Sequence, residues 1–142
     1  MSATNNQIFT GFADKLNTAA LGYPIAWPGG VGQNAAGVYD PNFSAPATGF
    51  WLEVNHFPNR GRDEGLAYDS SYVPEGIIQV YVCDRPGEGI IPANAIVDQL
   101  LAVFPKGETL SGSVRISRKP YPTERMDMDD RFMIPVVFEY IG

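Results

Sequence analysis

At 142 residues the chain has the length of one domain, enough to bury roughly two-thirds of its unfolded surface, and no linker or internal repeat divides it. With 16 acidic against 10 basic residues and a net charge of -6, it lacks the phosphate-neutralising surplus on which nucleic-acid binding depends. The single cysteine, Cys83, excludes an intrachain disulfide; no run nears the roughly 18 apolar residues of a membrane span, and MSATNNQ lacks the basic start and apolar core of a signal peptide.

The first predicted element is a helix over about residues 5–20. Ile8, Phe12 and Leu16 recur every four residues, and Phe9 and Ala13 widen the stripe. Thr4 or Asn5 is the N-cap candidate, Gly22 stands where a terminator belongs, and Pro24 lies just beyond. In YPIAWPGG, Ile25, Ala26 and Trp27 then make a short extended segment closed by Pro28-Gly29-Gly30. Residues 28–48 carry one charge, Asp40, and read as a long loop, a feature that tends to carry function. GGVG within it lacks the Lys-Ser/Thr and the strand-to-helix frame of a phosphate loop.

GFWLEVNHF, 49–57, alternates: Phe50, Leu52 and Val54 face one way, Trp51, Glu53 and Asn55 the other, with one face buried. The polar stretch 58–76 reads as a hairpin arm or flexible loop. IIQVYVCD, 77–84, is largely apolar on both faces, which places it centrally in a sheet. IPANAIVDQLLAVF, 91–104, is the second helix, with Ile96, Leu100 and Phe104 at four-residue spacing and Pro92 in the first turn. SVRISRK, 113–119, turns Val114 and Ile116 inward. The last strand, 131–141, lines up Phe132, Ile134, Val136, Phe138 and Tyr140. Pro135 has no N–H for a ladder, so this strand is predicted to be an edge or to be bulged there. The order predicts a single domain over 1–142 with an α+β fold: a mostly antiparallel sheet of four to five strands with two helices packed on one face. Phe12, Leu16, Val80, Val82, Leu100, Phe104, Val136 and Phe138 form the expected core.

No residue set carries catalysis. His56, the one histidine, has no Ser or Cys partner nearby in sequence, and Cys83 lies in an apolar strand, where a thiol behaves as a small hydrophobe. MDMDDRF concentrates carboxylates, but a calcium loop counted from Asp127 needs Gly at its sixth place and Glu at its twelfth, where Phe132 and Phe138 stand. Arg125 and Arg131 beside these acids favour local ion pairing. The sequence therefore predicts no enzyme, cofactor or metal. Five of the ten basic residues fall between 115 and 131, as a solvated strand and loop or as an electrostatic contact patch.

The assembled pattern resembles the tail terminator proteins of long-tailed phages. The likeness rests on the N-terminal helix leading into YPIAWPGG, then GFWLEVNHFPN, then EGIIQVYVCDRPGEG running into ANAIVDQLLAVFPKGETL, and the closing FMIPVVFEYIG. It implies a virion protein, assembled in the host cytoplasm, that forms a homo-oligomeric ring, typically a hexamer. The ring would cap the tail tube, stop its polymerisation and offer the head-attachment surface. The implied partners are further copies, the tail tube protein and a head-completion protein. An acidic chain also suits a lumen through which DNA passes without sticking. The segments 58–74 and 120–131 are long and carry both charge signs, which marks Arg60, Arg62, Asp63 and Glu64, and Glu124, Arg125, Asp127 and Asp129, as expected subunit or tube contacts. The rival readings are another ring protein of the virion, such as a head-completion or tube protein, and a small-molecule-binding α+β domain. The last would need a polar pocket holding His56 or the Asp127–Asp130 cluster.

Overall fold

The computed structural model describes residues 4–58, 62–63, 72–87 and 89–142. Helix α1 spans Asn5–Ala19. Its N-cap, Thr4, accepts a hydrogen bond from the Gln7 N–H at 3.2 Å while the Gln7 side chain accepts from the Thr4 N–H at 2.9 Å. This reciprocal box satisfies two donors that a helix start otherwise orphans. The terminator is Ala20 rather than Gly22: Ala20 takes φ 48° and its N–H returns to the Asn17 carbonyl. The early turn lets Leu21 and Tyr23 reach the core. Helix α2, Ile91–Val103, opens with Pro in its first turn and buries Ala93, Ile96, Val97 and Leu100.

The main sheet has ten strands, against the four to five expected. Its path runs β3 (Tyr39–Asp40), β2 (Val31–Gln33), β1 (Ile25–Trp27), β4 (Trp51–Pro58), β7 (Glu75–Asp84), β12 (Phe132–Ile141), β9 (Val114–Ile116) and β8 (Thr109–Ser111); β10 (Tyr121–Pro122) and β11 (Met126–Asp127) also pair with β12. β5 (Arg62–Asp63) and β6 (Tyr72–Val73) form a separate two-stranded sheet. Every pairing is antiparallel except β1 with β4. The extra strands are two or three residues long, too short to display a period, and they exist because long neighbours offer them hydrogen-bonding partners. So the expected 28–48 loop contains β2 and β3. Trp27 holds the β1–β2 hairpin, donating its indole N–H to the Gln33 side chain at 3.0 Å and meeting Phe9 edge-on.

β7 is central, as its two apolar faces required. β12 is central too, which corrects the expectation from Pro135. The Pro135 carbonyl accepts from the Thr123 N–H at 2.8 Å. A strand residue's N and C=O point the same way, so the missing donor faces the gap between β10 and β11, where no ladder runs. Proline is tolerated there because the partner strand is interrupted.

Leu52 and Val54 on β4 sit opposite Val82 and Val80, which sit opposite Ile134 and Val136, with Ile78 facing Phe138. Both helices cover this face, and all eight expected core residues belong to the one cluster it forms. Its centre is an aromatic triad: Phe12 stacks on Phe104 at 4.3 Å, and Phe138 meets both edge-on at 5.3 and 5.1 Å. Gly11 brings α1 against β8 so closely that a Cβ there would collide with the Leu110 carbonyl oxygen.

Candidate assembly surface

The helices leave the second face of the sheet uncovered, and it is not uniformly polar. Trp51, Cys83 and Met133 lie side by side across β4, β7 and β12, buried under Phe43 and Ala45 from the segment that follows β3. Strand alternation alone had turned Trp51 toward solvent. Two guanidinium groups explain its burial: Arg85 and Arg131 lie 4.9 and 5.1 Å from the indole centroid. Arg85 donates to the Pro46 carbonyl from Nε and Nη2 at 3.1 and 2.9 Å, and from Nη1 to the Asp130 side chain at 3.2 Å. Arg131 reaches Glu53 at 3.3 Å and Asp130 at 3.4 Å. The hydrogen bond from Arg131 holds the Asp130 carboxyl below its ordinary range. Burial, reinforced by the Glu53 carboxylate that accepts the thiol hydrogen at 3.3 Å, pushes the Cys83 thiol far up. This network pins the segment around Pro46 to the sheet. Beside it, between the β1–β2 turn and β11, runs a trough of about 510 Å³ lined by Trp27, Phe43, Tyr81, Met126 and Met133.

Residues 114–131 follow β12 in the antiparallel sense and pair with it in three separate stretches. Arg115 lies opposite Ile141, Tyr121 opposite Val137, Met126 opposite Met133 and Asp127 opposite Phe132. This edge is therefore bipolar. Arg118 and Lys119, just past β9, occupy one end; Glu124, Asp127, Asp129 and Asp130 occupy the other, with Arg125 among them. Arg118 pairs with Glu139 at 3.4 Å, and Arg125 grips Asp127 through two nitrogens at 3.0 and 3.1 Å. The Arg125 and Asp127 side chains are 46% and 65% exposed, so their attraction adds little stability.

The structure thus gathers Glu124, Arg125, Asp127 and Asp129 on one exposed edge. Arg62 and Asp63 lie on β5, opposite Val73 and Tyr72, in the connection beyond the Pro58–Gly76 pair. Gly76 faces Tyr140, whereas β11 faces Phe132 and Met133. The point where the 58–74 arm leaves the sheet and β11 are therefore some seven residues of β12 apart, about 20 Å or more. Arg60 and Glu64 lie outside the described residues. Arg85 and the Trp51–Cys83–Met133 row were not foreseen from sequence; the row's signal was three apolar residues in one outward register.

His56 is half-buried at the rim of the helical layer. Its ring stacks on Phe9 at 5.6 Å, and Nε2 lies 2.7 Å from the Tyr140 hydroxyl. Only a glycine at position 76 leaves room for that hydroxyl, since a Cβ there would come within 2.6 Å of it. Burial lowers the His56 pKa. Among the described residues no three His, Cys, Asp or Glu side chains are grouped to hold a metal, and no helix is long and apolar enough to cross a membrane.

Taken together, the arginine-braced face and the bipolar sheet edge belong to a structural scaffold, whose chemistry lies in the surfaces it presents. The sequence matches the family model of the phage tail terminator proteins over residues 7–140, and the chain belongs to that family: it is a structural virion protein of bacteriophage tail assembly. A comparison with curated proteins finds no significant match. One solved structure superposes with a TM-score of 0.72 at 22% identity, covering 99% of this chain and 96% of the other, which supports the fold.

Proposed function

We propose that the protein assembles, in the host cytoplasm, into a closed ring of six copies that caps the finished tail tube, arrests its polymerisation and presents the surface to which the head attaches. The observation that carries this reading is the family match, which runs from the first turn of α1 to the penultimate residue of β12. The surface agrees with it: exposed apolar groups at the sheet edges and a half-covered second face suit a protein that meets copies of itself. The tail tube protein and a head-completion protein are its partners. The net charge of -6 lets DNA cross the lumen without being held.

The 58–74 arm and the 120–131 segment supply contacts to subunits or to the tube, through Arg62 and Asp63 on the first and Glu124, Arg125, Asp127 and Asp129 on the second. Arg62→Glu combined with Arg125→Glu is expected to leave the circular dichroism unchanged and to impair ring formation or capping. A small-molecule reading draws no support from the trough, which contains neither His56 nor the Asp127–Asp130 cluster. The ring is tested by native mass across a concentration series. A species near six times the 15.5 kDa chain mass is expected; a single monomeric mass throughout would contradict it.

A further inference from the structure

We infer that neighbouring copies meet edge to edge, with the β3 edge of one copy packed on the 118–126 edge of the next. The inference rests on the ring reading and names its contact. Of the eight large apolar side chains exposed among the described residues, five lie at or next to β3 on one side of the main sheet or β10 and β11 on the other. Val38 and Tyr39 stand 60% and 64% exposed at the β3 edge; Tyr121, Met126 and Met128 stand 38 to 46% exposed on the other. Tyr121 and Met126 face β12 residues four apart, a strip about 13 Å long.

Charge selects the pairing. Asp40 is the sole charge in 28–48, so the β3 edge is purely acidic. Beside Tyr121 the opposite edge carries Lys119 and Arg118, the latter paired with Glu139, while Glu124 and Asp127 lie toward Met126, so the basic end is the one that receives Asp40. Two β3 edges brought together would oppose Asp40 to Asp40, whereas β3 against 118–126 sets acid beside base. That contact joins two different surfaces of one chain, which is the type that closes into rings. Backbone strand addition is blocked on both sides: Pro41 directly follows β3, and Pro120 and Pro122 flank Tyr121, removing donors where a new strand would bond. The joint is therefore made by side chains, with Tyr39 as its anchor.

Two variants, Val38→Cys and Met126→Cys, are purified separately, mixed and treated with a short bis-maleimide; the native Cys83 is buried and does not compete. Cross-linked dimers are expected in the mixture and not in either variant alone. Tyr39→Ser is expected to weaken assembly about tenfold or more with an unchanged circular dichroism spectrum. Rings that form in Tyr39→Ser as in wild type, or cross-links within a single variant, overturn this contact and leave the ring reading standing. A wild-type protein that stays monomeric at every concentration overturns both.

Discussion

Removing the Phe12 side chain probes the join between the two helices and the sheet. Phe12 is fully buried, stacked on Phe104 and edge-on to Phe138. Phe→Ala in a core costs about 3–5 kcal/mol, depending on how far the site collapses. Here collapse is obstructed. α1 already touches the β8 backbone at Gly11, and Lys15 is ion-paired to Glu108 one turn further on, so the helix has nowhere to move inward. The cavity persists, two aromatic contacts worth about 0.5–1.5 kcal/mol each are lost, and the cost falls at the upper end, about 4–5 kcal/mol. Urea unfolding followed by far-ultraviolet circular dichroism, at fixed protein concentration, reads this as a lower midpoint with an unchanged slope. Phe12→Leu, which keeps most of the volume, should cost roughly 1–2 kcal/mol. A Phe12→Ala loss below about 2 kcal/mol would refute the packing described.

Gly11→Ala is expected to destabilise by about 1–3 kcal/mol in the same assay, although alanine favours an isolated helix by about 1 kcal/mol, because the added Cβ meets the Leu110 carbonyl. His56 gives a pH signature. Its folded pKa lies below the ordinary 6.5, so the unfolded chain binds the proton first, and the stability due to neutral His56 is full above that value and lost as pH falls below it. Unfolding midpoints between pH 7.5 and 5.5 should show this slope, and His56→Gln should flatten it. Cys83 should resist a disulfide thiol reagent in the native state and react on unfolding, since burial and Glu53 both oppose its thiolate.

The long elements were legible because each repeats a physical pattern several times. The Ile8–Phe12–Leu16 stripe with its Thr4 cap, the Ile96–Leu100 spacing and the alternation in β7 and β12 specify two helices, a central strand and the face they share. Strands such as Tyr39–Asp40 and Tyr121–Pro122 hold two residues, and only the neighbour they pair with defines them. Pro135 misled because the rule excluding proline from central strands concerns the local ladder, and the ladder there has a gap. The exposed acids and arginines of 120–131 were recognised from composition, but not that they line one sheet edge. Arg85 and Trp51 were missed because their contact joins residues 34 apart in sequence across a loop.

The central claim is that this chain stops tube growth. Purified tail tube protein is polymerised with and without the chain, and tube lengths and ends are measured by electron microscopy. Short tubes of fixed distribution, bearing a ring at one end, are expected when the chain is present at about one ring per tube. Tubes that keep lengthening with bare ends, at any ratio of the two proteins, would contradict the account.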